Sequence, residues 1–370
     1  SQAVLLALAA FVGAPASEAH VEDRPAQGVS MMSNRAPENE IASSRSLPDG
    51  SLSYIGAYAT GGVGNPDPND AAMNDDLSSS NSLTYHFWKD TQFLTAVNAG
   101  DNTISLLEVH PMTLELTLHQ VAELEGIYPC SITAFEDRVC AVDCAGDIMV
   151  ECFHIVAEDS PNDASSFSLE ADFVHDFGFN VPQRFENREN SGFAPLGPGN
   201  ILFSGDGLQL GIVMKGNAAV SAEEIAAGFT VPPAGFWSFP VGESGYGNPE
   251  FFPLPDESIP FGFSWRSGEE GTTNQIVLVV NTSGEFLDFP ELVASFSSVT
   301  SLQVISSSNS DGTSTELAIS KVDEVNINAV TGCWIEYRFA HWYTGNFVSD
   351  SISIGTVTRS GELGGISSSR

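Results

Sequence analysis

Few side chains in this chain of 370 residues have the types and spacing that chemistry needs. Hydrolysis without a metal takes a base to activate water and a cation to steady the oxyanion. His175 and Asp176, in FVHDFGF, with Arg184 further along, form one such set, and a plain polar loop is the bland alternative. His341, beside Trp342, is either a second candidate base or a satisfied core histidine. Glu336 and Arg338 alternate after Cys333-Trp-Ile and are expected to pair across strands. Lys215 closes a strand ahead of Gly216-Asn217, while His86 and His154 lie in strands and carry no chemical signal. Among the acids, Asp67-Pro-Asn69-Asp70 with Asp75 and Asp76 nearby could take a divalent cation such as calcium. The stretch lacks the glycine and closing glutamate of an EF-hand loop.

Several chemistries are excluded by context. Gly61-Gly-Val-Gly64 runs into Asn-Pro-Asp-Pro rather than a helix, so it is no nucleotide-binding loop. Ser204 in FSGDG lacks the Gly-x-Ser-x-Gly turn of a nucleophile elbow. The cysteines include no C-x-x-C pair, which argues against zinc. Thirteen Lys and Arg against 48 Asp and Glu give a net charge of −35. Such a surface repels nucleic-acid phosphates and anionic membranes, so the expected partners are an extracellular protein, a glycan or a small molecule.

Residues 4–19, VLLALAAFVGAPASEA, combine an apolar run with small residues, in the manner of a secretory core and cleavage site. The run is too short to span a membrane. Residues 1–19 are therefore assigned as a signal-peptide remnant, 20–28 as a linker and 29–370 as the folded body. An oxidising, extracellular compartment suits the cysteines. If the hairpin turns through Ala145-Gly146-Asp147, Cys140 falls opposite Cys152, within bridging reach. Cys130, on the preceding strand, can then reach Cys144, and Cys333 is left over as a buried thiol. Asn281-Thr-Ser283 is an N-glycosylation sequon at a strand end.

The elements that must position these residues recur. FLTAVNAGDNTISLLEV (93–109) reads as strand, turn, strand. Related phrases are RVCAVDCAGDIMVECFHI (138–155), QIVLVVNTSGEF (275–286), AHWYTGNFVSDSISIGTV (340–357) and, more weakly, VSMMSNRAPENEIASSRS (29–46). A repeated strand unit cannot bury its apolar face alone, so copies must pack on one another. The expected fold is all-β, a β-propeller of four-stranded antiparallel blades. Pro48-Asp-Gly50, Gly205-Asp-Gly207 and Arg359-Ser-Gly361 mark hairpin turns. Ser221-Ala-Glu-Glu224 is a capping box for a short rim helix that stops at Gly228. The strand 318–324 is assigned to the sixth unit, together with Gly332 to Val357.

FLTAVNAGDNTISLLEV, FSGDGLQLGIVMKGN, IPFGFSW and GCWIEY followed by HWYTGNFVSDSISIGTV together resemble one family, the lactonase-like seven-bladed propellers. That family includes 6-phosphogluconolactonases and carboxymuconate cyclases, and the Cys-Trp-Ile phrase leans toward its secreted, functionally unassigned members. The resemblance covers about residues 29–364 and implies seven blades around a central channel. About six units fit before Arg370, so the C-terminal blade is expected to be missing. Family enzymes are expected to use a His, a Glu and an Arg facing the channel. Ala194-Pro-Leu-Gly-Pro-Gly199 has no His where one would stand, and Lys215 stands where a Glu is expected. With no family catalytic residue carried over, the expected function is a secreted, non-catalytic scaffold without a cofactor other than a cation. The alternative is an extracellular lactone hydrolase or cycloisomerase with a divergent site built from His175, Arg184 and His341.

Overall fold

The structure, a computed structural model, describes residues 9–10, 27–64, 77, 79–158, 166–181, 197–216, 226–255, 258–267, 274–283, 296–308, 315–327, 332–346 and 351–369. Among them every element is a strand, and the strands form six antiparallel sheets. The first sheet holds β1 (Ala9–Ala10), β2 (Gly28–Met32), β3 (Glu40–Ser46) and β4 (Leu52–Ala59). The second holds β5 (Leu83–Trp88), β6 (Thr91–Asn98), β7 (Thr103–Val109) and β8 (Leu116–Glu123). The third is β9 (Ile127–Phe135), β10 (Arg138–Glu158) and β11 (Ser166–Val181). In the fourth, β12 (Pro198–Phe203), β13 (Gln209–Met214) and β14 (Gly235–Gly242) are joined by β15 (Gly245–Tyr246) and β16 (Glu250–Pro253). The fifth holds β17 (Ser258–Ser267), β18 (Asn274–Ser283), β19 (Phe296–Ser308) and β20 (Thr315–Asn326). The sixth holds β21 (Gly332–Arg338), β22 (His341–Asn346), β23 (Ser351–Val357) and β24 (Leu363–Ser369).

β10 is one continuous run that doubles back. Gly146 takes φ 65°, and the Cα atoms of Cys140 and Cys152 lie 4.1 Å apart. Counted as two strands, it gives the third sheet the four-stranded antiparallel form of a propeller blade. The residues 318–324 belong to β20 of the fifth sheet, not to the sixth as the sequence suggested. β19 and β20 pair along nearly their whole length.

Repetition extends to irregularities. Where the third strand meets the fourth, the register slips between Ser43 and Ser44, between Leu106 and Leu107, between Ser301 and Leu302, and between Ile354 and Thr356. A bulge at one repeat position re-aims the outer strand in the same way each time. The hairpin joining β5 to β6 turns on Lys89 and Asp90, with φ 46° and 62°, and that joining β21 to β22 on Phe339 and Ala340, with φ 50° and 63°. Two successive positive φ values match the right-handed strand twist in a two-residue hairpin, even though neither turn contains glycine.

The described chain falls into two compact units. The first takes residues 1–77, 81–143 and 149–175; the second takes 78–80, 144–148 and 176–370. In the first unit, Ile41 of β3 packs with Leu83, Leu94, Leu107 and Leu116 of the second sheet. Phe167 of β11 meets Phe93 of β6 edge-on, with ring centroids 4.9 Å apart. In the second unit, Val213 and Phe236 pack on Phe263, Val277 and Leu302, and Ile276, Leu278 and Val299 pack on Ile335 and Trp342. Each buried side chain of this kind contributes roughly 1.5–3 kcal/mol, so stacked sheet faces supply the main stabilisation of each unit.

Cys130, Cys140, Cys144 and Cys152 are all disulfide-bonded, with Cys140 joined to Cys152. Cys333 is a buried thiol outside these bonds. The Cys140–Cys152 bridge spans 12 residues. Replacing both cysteines by alanine is expected to lower stability by about 2–3 kcal/mol, read from chemical denaturation under non-reducing conditions.

Candidate functional site

Polar side chains of the first unit gather at the end of the β6–β7 hairpin. Asn98 closes β6 with no exposed surface. Its Oδ1 accepts from Asn39 Nδ2 at 3.0 Å and from Thr60 Oγ1 at 2.7 Å. Its Nδ2 donates to Thr103 Oγ1 at 3.0 Å and to Ser105 Oγ at 2.7 Å. The second unit repeats this clamp: Asn346 closes β22, and its Nδ2 donates to Ser351 Oγ at 3.2 Å and Ser353 Oγ at 2.9 Å. In both hairpins the hydroxyl partner stands opposite the residue two before the asparagine, Ala96 for Ser105 and Thr344 for Ser353.

The same two positions in the third sheet carry acids. With Cys140 facing Cys152, Ala141 faces Glu151, and Asp143 stands where Asn98 and Asn346 stand. The linker glycines agree: a Cβ on Gly62 would strike the Asn98 side chain, and one on Gly126 would strike the Asp143 carboxylate. Asp143 and Glu151 are 1% and 3% exposed. Glu151 accepts the backbone N–H of Glu125 and of Gly126, each at 2.9 Å. Asp143 Oδ1 is buried without a hydrogen-bond partner. Burial, and then the negative charge of Glu151, holds the Asp143 carboxyl well above the usual carboxylate range. This pair is the most chemically loaded cluster among the described residues.

A second cluster crosses the same sheet. His154 of β10 has Nδ1 at 3.0 Å from Asp137 Oδ2 and Nε2 at 3.2 Å from Asp172 Oδ2. Each group is about one-third exposed, so the imidazole ties the β9–β10 turn to β11 at the surface. In the second sheet His86 is almost fully buried, stacked on Phe93 at 5.4 Å, with neither ring nitrogen hydrogen-bonded. Burial pushes its pKa down to about 3.

Of the residues singled out from sequence, His175 belongs to the first unit and His341 to the second. His175 stacks on Phe173 in β11, with centroids 6.3 Å apart. Arg184, Asp67, Asp70 and Asp75 lie outside the described residues, as do Ser221–Glu224 and most of 1–28. Ala9 and Ala10, inside the assigned signal segment, pair with Ser30 and Val29. His341 sits at the β21–β22 turn, its Nδ1 bonded to the Phe339 carbonyl at 2.8 Å. Glu336 and Arg338 do pair, at 3.0 Å, but along one exposed strand rather than across two. Alternate residues of a strand share a face, so this pair needs no partner strand. Ser204 Oγ donates to Asp206 Oδ1 at 2.6 Å and serves its own turn. Lys215 is buried, with Nζ 5.3 Å from the centre of the Phe261 ring. Asn281 is 2% exposed within β18, a placement that leaves no room for a glycan in the folded sheet.

Sequence reasoning missed three groups. Arg266 of β17 donates from Nε to the Tyr337 hydroxyl at 3.0 Å and is 9% exposed, and a lone charge in IPFGFSWRS was its only signal. His154 was set aside because its partners, Asp137 and Asp172, come from other parts of the sheet. Asp143 and Glu151 were visible in the repeat itself, as VDCAGD against VNAGDN.

No family model matches the chain, and no curated protein matches it. Among solved structures it is similar to the periplasmic gluconolactonase of Pseudomonas aeruginosa, at 11% identity and TM-score 0.44, over 92% of this chain and 94% of that one. It is similar to a protein from Lactobacillus plantarum at 12% identity and TM-score 0.49, over 92% and 81%. It is also similar to a putative 6-phosphogluconolactonase of Bacteroides fragilis, at 12% identity and TM-score 0.46, over 94% and 95%. These likenesses cover most of the chain, at identities and scores too low to carry an argument about activity.

Two outcomes follow from this geometry. Asn98→Ala strands the Asn39 and Thr60 donors and is expected to cost about 3 kcal/mol or more in denaturant unfolding. The folded chain keeps His86 neutral down to about pH 3, whereas the unfolded chain takes up its proton near 6.5. Stability is therefore complete above that upper value and falls as the pH drops toward the lower one, by an amount on the order of 4 kcal/mol. His86→Phe, which keeps the stack on Phe93, is expected to flatten this acid limb in pH-dependent melting.

Proposed function

We propose that this protein is a non-catalytic, disulfide-bonded propeller that works as a binding scaffold in an extracellular compartment. The observation that carries the reading is how its polar groups are spent. His341, Ser204, His154 and Asn98 direct their polar atoms to partners within their own unit. A catalytic base must instead have its lone pair turned toward a substrate, within about 2.6–3.2 Å of the proton it takes. Four oxidised cysteines support an oxidising location. No helix of the described residues is long and apolar enough to cross a membrane. The net charge of −35 favours a partner that is cationic or neutral, an extracellular protein or a glycan, and disfavours nucleic acid.

The test is turnover against a panel of five- and six-membered sugar lactones and muconolactone-type substrates, alongside a glycan array. The expected outcome is lactone hydrolysis at the buffer rate together with saturable glycan or protein binding that weakens as salt is added. Turnover well above the buffer rate that is lost in His175→Ala or His341→Ala would reject the scaffold reading.

A further inference from the structure

We propose that Asp143 and Glu151 share one proton and form a pH-sensitive latch in the third sheet, closed when the proton is held and strained when it leaves. The argument begins with the repeat. In two other hairpins the positions of Asp143 and Glu151 are an asparagine amide and a serine hydroxyl joined by a hydrogen bond, at 2.7 Å in one and 2.9 Å in the other. Replacing the donor amide by a carboxyl removes the N–H that the clamp requires. A carboxylic acid restores it, since one of its oxygens then carries a proton. An ionised carboxylate at both positions would leave two buried negative charges with no hydrogen bond between them.

The surroundings decide which acid keeps the proton. Both oxygens of Glu151 accept backbone N–H groups, Oε2 from Glu125 and Oε1 from Gly126. Asp143 Oδ1 is buried with no hydrogen-bond partner, and so is the place for the hydrogen. In the proposed latch the proton is therefore on Asp143, with Glu151 as the neighbouring charge that retains it. Gly126 is needed here because any side chain would occupy the space of the Asp143 carboxylate.

Other titratable groups on the neighbouring elements are Glu125 on the linker, Tyr128 on β9, and Glu170, Asp172 and His175 on β11. Asp172 is engaged by His154, and Asp101 on the β6–β7 turn accepts from Val63 N and Thr103 Oγ1. Burial and then Glu151 are what act on Asp143, and both act to retain its proton. Between the ordinary carboxylate value and the raised one, the folded chain holds one proton more than the unfolded chain. That stabilisation is complete below the ordinary carboxylate value and is lost as pH rises through the raised one.

The test compares the wild-type protein with Asp143→Asn, which carries the donor permanently. The ratio of their unfolding equilibrium constants should change up to about tenfold per pH unit on the neutral-to-alkaline limb, with Asp143→Asn losing less. Infrared difference spectra should show a protonated carboxyl band in the wild type at neutral pH and not in the variant. If Asp143→Asn does not fold, Glu151→Gln gives the same answer, because removing the neighbouring charge should make the band vanish at a lower pH than in the wild type. Parallel pH profiles, or no carboxyl band, would overturn the latch. So would calcium raising the melting temperature of the wild type but not of Asp143→Asn, since the pair would then hold a cation in place of the proton.

Discussion

A four-stranded sheet with apolar side chains on both faces has no stable way to exist alone. In each unit the answer is stacking: Ile41 and Leu94 in the first, Phe236 and Phe263 in the second, are removed from water by the neighbouring sheet. Stacking of this kind has a consequence for the backbone turns. Where a strand ends inside the stack, its polar groups end there as well, and each needs a partner because a buried donor left unpaired costs about 1–3 kcal/mol. The Asn98 amide meets that need by closing two donors and two acceptors at one point. Apolar burial thus dictates a polar clamp, and the clamp fixes the angle at which one strand hands over to the next.

The clamp also explains why linker glycines recur. The chain leaving the first sheet crosses directly over Asn98 at Gly62, and the chain leaving the second crosses over Asp143 at Gly126, in both cases too close for a Cβ. Close approach, rather than a special φ, is what these two glycines provide. They also deliver backbone amides to the clamp, which in the third sheet become the donors to Glu151. A position that is purely architectural in one repeat thereby becomes an electrostatic site in the next, through a change of two side chains.

The architecture was legible because its signals are local. Strand alternation, the Pro48-Asp-Gly50 turn with Gly50 at φ 83°, the Gly205-Asp-Gly207 turn with Gly207 at φ 71°, and the opposition of Cys140 and Cys152 each depend on a few adjacent residues. Where the reading failed, the deciding interaction was remote. Lys89-Asp90 and Phe339-Ala340 make tight hairpin turns without glycine, because long paired strands on either side impose the geometry. The strand 318–324 stands close in sequence to Gly332 of the sixth sheet, but its pairing partner is β19. His154 could not be recognised as a bridge, since Asp137 and Asp172 approach it only once the sheet has formed. The Asp143–Glu151 pair is intermediate: the substitution stands in the repeat, but its meaning depends on burial, which a sequence does not display.

The third sheet carries both the acid pair and the four oxidised cysteines, and these features are physically connected. Elsewhere the hairpin ends are held by an amide and hydroxyls at about 1 kcal/mol for each hydrogen bond. In the third sheet that clamp works only while a proton is present, so its contribution varies with pH. Cys144 follows Asp143 and Cys152 follows Glu151, so each acid adjoins a covalent tie. A disulfide contributes about 2–4 kcal/mol regardless of protonation. The ties adjoin both acids and can hold the hairpin together when repulsion between the carboxyls would part its strands. Chemistry at the clamp and oxidation at its flanks form a single structural arrangement, and a reducing environment would weaken the sheet most at the pH where the proton is absent.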